Sequence, residues 1–275
     1  MKVIVNSLPK SGTHLLGTLM GNIGFQEWGG AGLTGALVRE THRDPIKNWR
    51  KRKRRPTGGD NGLWIDLDVE ENRAGYKWLR KYLNSIPDGM YVSGHLPHSL
   101  ELSMFLQITD FKVLHITRDP RDVLNSYINF QRNKRNFPFH EEFKDSDLDQ
   151  AISHTLSSVS QGAIVAAPLN ERVKRSMGWL SDTSTYSVHF ESLIGPKGGG
   201  DTQLQRAAVK GVCEHLGLAL GEEARNILAS KVFDVSSETF HKGLVNQWKD
   251  VFNDEQQDKI NEALGDVIET MGYSI

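Results

Sequence analysis

Short apolar runs alternate with longer stretches of helical periodicity along this chain. Residues 2–5, KVIV, form a β-branched run that is typical of a buried parallel strand. After a loop of small residues, apolar side chains recur at helical spacing between residues 15 and 23, and Gly24 is a suitable residue to end that helix. The chain therefore opens with a strand, a loop and a helix.

The same kind of pattern indicates three further strands. One ends near Ser93 in GMYVSGHLP, one covers residues 112–117 in FKVLHITRDP, and one lies in STYSVHFESL. Behind the 112–117 strand, Asp119 is a suitable N-cap and Pro120 suits the first helical position. Helical spacing predicts the remaining helices at about 70–83, from 120 onward, and at about 147–178, 202–217, 221–230 and 260–271.

Strands that alternate with helices predict an α/β fold with a central parallel sheet flanked by helices. No internal repeat or domain boundary is visible, so we expect one domain over residues 1–275, with a variable region at 26–88. In such a sheet, ligands bind beyond the carboxyl ends of the strands. Three segments leave strands at that edge and are expected to converge: Pro9–Thr13, His95–Pro97 and Arg118–Ser126.

Composition narrows the class of protein. The chain is 38% hydrophobic and 24% charged with a formal net charge of -1, which is typical of a globular protein and gives no overall attraction to nucleic acid or membrane. Cys213 is the single cysteine, so an intramolecular disulfide is impossible and a reducing compartment is favoured. The first apolar run, residues 3–5, is too short for a signal peptide or a membrane span. We expect a cytoplasmic protein without a membrane span.

The stretch SLPKSGTHLL, residues 7–16, has the residues of a phosphate-binding loop. Gly12 allows close approach of the backbone to an anion, Lys10 adds a positive charge, and Thr13 adds a hydroxyl at the start of a helix. The common nucleotide-binding pattern G-x-x-x-x-G-K-[ST] is absent. A glycine turn beside a surface lysine is the alternative interpretation.

The stretch ITRDPRDVLNSY provides a second candidate anion site. Arg118 follows a strand, and Ser126 lies eight residues later along the predicted helix. Arginine suits phosphate because its planar guanidinium forms two parallel charge-assisted hydrogen bonds. The alternative is a solvated charge cluster at a helix start. Two separate anion sites suit a ligand with two separate phosphates, whereas a kinase needs one polyphosphate track with Mg²⁺.

Four segments resemble motifs of the sulfotransferases that use 3′-phosphoadenosine 5′-phosphosulfate (PAPS). PKSGTHLL resembles the PKSGTTW loop, and RDPRDVLNS resembles R-[ND]-P-[RK]-D-x-x-x-S. SGHLP resembles T-H-L-P, and TFHKGLVNQWKDVF resembles F-x-R-K-G-x-x-G-D-W-K. The resemblance implies a P-loop NTPase-like fold, PAPS as co-substrate, 3′-phosphoadenosine 5′-phosphate (PAP) as product, and no metal.

The resemblance also implies roles for individual residues. Lys10 would stabilise the bridging oxygen as the sulfuryl group leaves. His14, Leu15 and His241 stand where the family has threonine, tryptophan and arginine. The cofactor-binding residues implied in this way are Lys10, Ser11, Gly12, Thr13, His14, Arg118, Ser126, Phe233, His241, Lys242 and Gly243.

His95 is the candidate catalytic base, because the histidine of T-H-L-P has that role in the family. An alcohol is a poor nucleophile unless its proton is removed during attack, and imidazole has a suitable pKa for this. His98 lies beyond Pro97 and ranks second.

The acceptor is not specified by any motif. Seven of the nine residues Lys47–Arg55 are Lys or Arg, which fits a solvated loop, a surface for an anionic acceptor or lipid headgroup, or a nucleic-acid contact. The resemblance therefore implies sulfuryl transfer from PAPS to a hydroxyl or amine of a small-molecule, glycan or lipid acceptor, and the basic run adds an anionic acceptor to these candidates. An ATP-dependent small-molecule kinase and a nucleic-acid-binding protein that uses residues 47–55 are the alternatives.

Overall fold

A computed structural model describes residues 1–30, 32–33, 64–66, 73–135, 139–161, 164–233 and 243–275. The basic run Lys47–Arg55, much of the region 26–88, and the site candidates His241 and Lys242 lie outside the described residues.

A five-stranded parallel sheet forms the centre of the protein. Its strands, in spatial order, are β2 (Gln26–Glu27), β5 (Met90–Gly94), β1 (Lys2–Ser7), β6 (Phe111–Thr117) and β9 (Thr185–His189). The first strand in the chain is therefore central, with its neighbours coming from residues far along the sequence. This order places the carboxyl ends of β5, β1 and β6 side by side.

Two short antiparallel hairpins lie outside the sheet. They are β3 (Trp64–Asp66) with β4 (Arg73–Gly75), and β7 (Val159–Gln161) with β8 (Ile164–Ala166).

Helices cover both faces of the sheet. In chain order they are α1 (Thr13–Ile23), α2 (Tyr76–Asn84), α3 (Leu100–Ile108), α4 (Pro120–Asn133), α5 (His140–Phe143), α6 (Leu148–Leu156), α7 (Leu169–Ser181), α8 (Phe190–Leu193), α9 (Thr202–His215), α10 (Glu222–Lys231), α11 (Trp248–Val251) and α12 (Asp254–Thr270), with a 3₁₀ turn at Pro196–Gly198.

The alternation of side chains along β1 explains the two layers. Val3 and Val5 pack into one cluster with α1, α9 and α10, whereas Ile4 packs into another with α2 and α3. All three side chains are completely buried, as expected of a central strand covered on both faces. Cys213 is buried in the first cluster as a small apolar side chain. A third cluster lies mainly among α4, α6, α7 and α12.

The predicted capping residues of α1 and α4 are confirmed. Gly24 caps α1 with a left-handed φ of 113°. Asp119 caps α4 by accepting a hydrogen bond from the Arg121 N–H, and Pro120 occupies its first turn. The described helices include none with the length and apolar character needed to cross a membrane.

The single long helix predicted at 147–178 is wrong. The structure has α6, then the β7–β8 hairpin, then α7 over this stretch. The interruption has a local cause, because VSQGAIVAAP combines β-branched residues with Gly162 and ends at Pro168, all of which disfavour a continuous helix. The helix predicted at 70–83 begins later, at Tyr76, because Arg73–Gly75 form β4.

Candidate functional site

The loop between β1 and α1 leaves the first turn of α1 without a side-chain cap. Lys10 and Gly12 both have positive φ, of 73° and 107°, and Ser11 N donates a hydrogen bond to Leu8 O at 3.1 Å. A Cβ on residue 12 would lie 2.7 Å from Cδ2 of Phe190, so glycine is required for its backbone angle and its size. Helix α1 begins at once, and no described side chain accepts from its first N–H groups. These N–H groups are available to an anion.

Lys10 lies in a partly buried, electropositive position. Its Nζ is 4.3 Å from the centroid of the Phe130 ring. Burial and, next, the positive charges of Arg118 and Lys134 lower the pKa of Lys10 from 10.5 to about 8. Cations that destabilise one another in this way are typical of a site built to receive an anion, because a bound anion offsets the repulsion.

Arg118 supplies a second concentration of positive charge, at the end of β6. Its side chain is 7% exposed. The guanidinium lies 4.3 Å from the Phe190 ring centroid, and Nη2 donates to Leu244 O at 3.0 Å. The buried Nε has no hydrogen-bond partner among the described residues. Ser126 is half-buried two turns along α4. A buried guanidinium with an unused donor is chemically suited to an oxyanion.

Asp122 connects this arginine to the segment that begins at residue 243. Its carboxylate accepts hydrogen bonds from Asn246 N at 2.9 Å and from Trp248 N at 3.0 Å, and it lies 3.6 Å from Arg118 Nη2. Burial raises the pKa of Asp122 to about 6, although the charge of Arg118 and the hydrogen bond from Trp248 act in the opposite direction. Asp122 thereby anchors the chain that continues from the candidate residues His241–Gly243.

The other charges of the RDPRD segment are paired with each other. Arg121 binds both carboxylate oxygens of Asp119, at 3.0 and 2.8 Å, and stacks on the Trp248 ring at 3.9 Å. Asp119 N donates to Glu191 Oε1 at 3.0 Å, and Glu191 Oε2 accepts from the Tyr273 hydroxyl at 2.9 Å. These residues support Arg118 structurally and are not oriented as ligand groups.

His95 is oriented by the end of β1. Its Nδ1 lies 3.0 Å from Ser7 O and 3.2 Å from Ser7 Oγ. A carbonyl oxygen can only accept, so Nδ1 carries the proton and Nε2 carries the lone pair. Ser7 Oγ is also 2.5 Å from Thr13 Oγ1. One buried serine thus joins the candidate base to the start of α1.

His98 has a structural role instead. Its Nε2 contacts Asp182 Oδ2 at 3.0 Å, and its ring packs edge-on against Trp179 with centroids 4.9 Å apart. Gly178 leaves the space for it, because a Cβ there would collide with the imidazole.

The three segments expected to converge lie at one edge of the sheet. Ser7 contacts both Thr13 and His95, and the charge of Arg118 acts on Lys10. The predicted meeting of the three segments follows from the β5–β1–β6 order.

The remaining candidates are placed less centrally. His14 lies at the surface on α1, where partial burial and the charge of Lys10 lower its pKa. Phe233 is half-buried and packs against the cluster around α10. Gly243 has a φ of 47° and leads into the segment held by Asp122. His241 and Lys242 are outside the described residues.

Sequence reasoning missed the groups that position these residues. Ser7 and Glu191 carry no recognisable signal for their contacts. Asp122 is a fixed position of the R-[ND]-P-[RK]-D motif, but the motif does not name its partners, because each partner comes from a distant part of the chain. Within the described ranges, no cluster of three or more His, Cys, Asp or Glu side chains is placed to hold a metal ion.

Comparisons with known proteins agree with this geometry. A family model described as a sulfotransferase domain matches residues 1–272. A mouse sulfotransferase complexed with PAP has a similar structure, with a TM-score of 0.59 at 17% identity, over 99% of this chain and 84% of that chain. Retinol dehydratase in complex with androsterone and inactive cofactor PAP has a TM-score of 0.56 at 19% identity, over 100% of this chain and 82% of that chain. Retinol dehydratase in a complex with retinol and PAP has a TM-score of 0.56 at 18% identity, again over 100% of this chain and 82% of that chain. The comparison with curated proteins yields no match. The structural likeness confirms the predicted α/β fold with its P-loop-like centre.

Proposed function

This chain belongs to the sulfotransferase family, and we propose that it transfers a sulfuryl group from PAPS to a hydroxyl or amine of an acceptor. The main support for this proposal is a pair of separate electropositive positions at adjacent strand ends, one at Lys10 and one at Arg118. Such a pair fits a nucleotide with one phosphate at each of its 3′ and 5′ positions. The similar solved structures that contain PAP support the same donor.

The residues present fit this donor at both ends. The uncapped first turn of α1, with Ser11, Gly12 and Thr13, would hold the 5′-phosphate. His14 would sit beside it. Arg118 Nε and the Ser126 hydroxyl would hold the 3′-phosphate.

Three further candidates complete the proposed donor site. His241, Lys242 and Gly243 would close over the 3′-phosphate, through the segment that Asp122 anchors. Phe233 would lie near the adenine.

His95 and Lys10 would divide the chemistry between proton removal and charge stabilisation. The unprotonated nitrogen of His95, Nε2, takes the proton from the acceptor's hydroxyl or amine. At the same time the acceptor's oxygen or nitrogen forms a bond to sulfur. Lys10 stabilises the negative charge that develops on the bridging oxygen as its bond to sulfur breaks. The lowered pKa of Lys10 rises again beside an anion, so the ammonium form is favoured when it is needed.

Transfer from ³⁵S-labelled PAPS to a panel of phenols, steroids, amines, oligosaccharides and lipids tests this function. We expect His95→Ala to lose turnover by about 100-fold or more while PAP binding is retained. His98→Ala is the matched control, because its ring is engaged by Asp182 and Trp179. Unchanged turnover in His95→Ala would rule out His95 as the base. An absence of labelled product with every acceptor would count against the proposed reaction.

We further infer that the acceptor is anionic. A pocket of about 440 Å³ lies beyond the end of α4 and is lined by Arg132, Arg135, His140, Glu141 and Lys144. Arg132 is preorganised, because its Nη2 donates to the Ser146 and Asp147 carbonyls at 2.8 and 3.1 Å. The charge of Lys134, at the same helix end, acts on Lys10, so the positive charge at this end of α4 extends its influence to the donor loop.

A pair of acceptors that differ only by a carboxylate or sulfate group tests the anionic preference. Arg135→Ser should raise the KM of the anionic acceptor several-fold and leave the neutral one unaltered, with Lys210→Ser on α9 as the surface control. Arg52→Ser tests the basic run Lys47–Arg55 in the same way. Equal effects on both acceptors would refute the preference.

Two broader assignments accompany this function. Residues 1–275 would act as one sulfotransferase domain, which the family match over 1–272 supports, and 26–88 would be an acceptor-side insertion within it. The single, unpaired Cys213 supports a cytoplasmic location. Fractionation of cells that express the tagged protein would test the location.

A further inference from the structure

Asn6 is a completely buried polar residue at the end of β1, next to the serine that orients His95. Polar side chains in a central parallel strand are costly unless every hydrogen-bonding group is used. The partners of the Asn6 amide therefore decide whether this buried polar residue is stable in the strand.

The Asn6 amide pairs with the backbone of a single residue, Leu96. Its Oδ1 accepts from Leu96 N at 2.7 Å, and its Nδ2 donates to Leu96 O at 3.1 Å. Because a backbone N–H can only donate, the atom that faces Leu96 N must be the oxygen, which fixes the orientation of the amide. Strand β5 has ended at Gly94, so the side chain replaces the backbone pairing that a longer strand would have given.

The second Nδ2 proton is also used. The Nδ2 nitrogen lies 3.2 Å from Nδ1 of His115, which is paired with Asn6 in the β1–β6 register and is buried. Burial, followed by the charge of His98, lowers the pKa of His115 to about 3, so its ring is neutral and can accept. The Leu96 carbonyl receives a further hydrogen bond from Trp179 Nε1 at 2.8 Å.

Adjacent residues of β1 thus hold adjacent residues of the site segment. Ser7 orients the His95 imidazole, and Asn6 holds the backbone N–H and C=O of Leu96. Both the ring and the backbone that carries it are tied to the strand from which the Lys10 loop departs, so the distance between base and loop is set by one rigid element.

We propose that Asn6 is a positioning residue for the His95 base, acting by holding the backbone N–H and C=O of Leu96. This inference rests on the proposed function, because it assumes that His95 removes the acceptor's proton. Displacement of a general base by about 1 Å costs up to 100-fold in rate. The hydrogen bonds of the Asn6 side chain go to Leu96 and His115 and not to residues 10–13, Arg118 or Ser126. Loss of the Asn6 amide should therefore lower kcat and leave donor binding intact.

The test is a double-mutant cycle between Asn6→Ala and His95→Ala. Asn6→Ala alone should lower kcat by about 10- to 100-fold with the Kd of PAP changed less than about two-fold. In the His95→Ala background the same substitution should have no further effect on the residual rate, because Asn6 acts through His95. Gln205→Ala is the matched control, because Gln205 is also a buried amide that donates to a backbone carbonyl, Leu193 O at 3.1 Å, in a different part of the protein. It should lower stability and leave kcat unaltered.

Trp179→Phe provides a second variant if Asn6→Ala fails to fold. It removes the Nε1–H donor to Leu96 O together with part of the buried ring volume, so kcat should fall a few-fold with unaltered PAP binding. A multiplicative effect of Asn6→Ala in both backgrounds, or normal kcat in folded Asn6→Ala and Trp179→Phe, would overturn the positioning role while the base assignment stands. Full activity in His95→Ala would instead overturn the proposed base itself.

Discussion

Replacing Lys10 with methionine should make the ligand-free protein more stable and abolish donor binding. The lysine is held close to Arg118 and Lys134, and burial together with their charges lowers its pKa from 10.5 to about 8. At about 1.36 kcal/mol per pKa unit, the ammonium form is destabilised by about 3 kcal/mol in the folded protein. Methionine has a similar length and no charge, and it keeps the same backbone constraint at a φ of 73°.

A smaller, opposite contribution must be subtracted. The Nζ lies 4.3 Å from the Phe130 ring centroid, and loss of this cation–π contact costs about 0.5–1 kcal/mol. The net gain is about 2 kcal/mol, which for a chain of this size raises Tm by about 5 °C.

The pH dependence gives the gain a distinct signature. A lysine whose folded-state pKa is lowered destabilises the folded protein most below that pKa, and the penalty disappears as pH rises from about 8 towards 10.5. Thermal unfolding of the wild type and Lys10→Met should therefore differ at pH 7 and converge by about pH 10. Lys210→Met, an exposed substitution on α9, should leave Tm unaltered at both pH values.

PAP separates the two effects of the substitution. It should raise the Tm of the wild type and have little effect on Lys10→Met. A Tm for Lys10→Met equal to or below that of the wild type at pH 7, with the control unaltered, would refute the view that Lys10 is held at an energetic cost.

Three other variants probe the two anion positions. Gly12→Ala should destabilise the protein by about 2 kcal/mol or more, because φ is 107° and the new Cβ would lie 2.7 Å from Phe190; an unaltered urea midpoint would contradict this. Arg118→Met should weaken PAP far more than adenosine 5′-phosphate, and calorimetry with both nucleotides would show whether the loss is confined to the 3′-phosphate. Asp122→Asn should raise the donor KM about 10-fold and abolish the fall in donor affinity expected below pH 6, where Asp122 of the wild type becomes protonated; a persistent pH dependence would assign it to another group.

Local patterns in the sequence are sufficient for four of the five sheet strands and for the meeting of three segments, whereas the two-residue edge strand β2 has no apolar run to reveal it. Buried strands produce unbroken apolar runs, and Gly24 and Asp119 act through contacts within a few residues. The β7–β8 hairpin was missed because its residues also fit helical spacing when the disfavouring Gly162 and Pro168 are given too little weight.

The supporting contacts could not be predicted from the sequence. Asn6 pairs with a residue 90 positions away, and Asp122 pairs with one 124 positions away. Asn6 looks like an ordinary polar residue, and Asp122 appears as a motif aspartate without a named partner, until the fold brings the partners to them. The family motifs named the groups expected to meet the donor, and the groups that hold them in place are visible only in three dimensions.

The most direct test of the donor assignment is calorimetric titration of the wild-type protein in the absence of metal. PAP should bind with a single site, and adenosine 5′-phosphate should bind at least 10-fold more weakly because it leaves Arg118 without its oxyanion. ATP with Mg²⁺ should bind no better than adenosine 5′-phosphate. Tight, Mg²⁺-dependent binding of ATP together with no detectable binding of PAP would contradict a PAPS-dependent sulfotransferase.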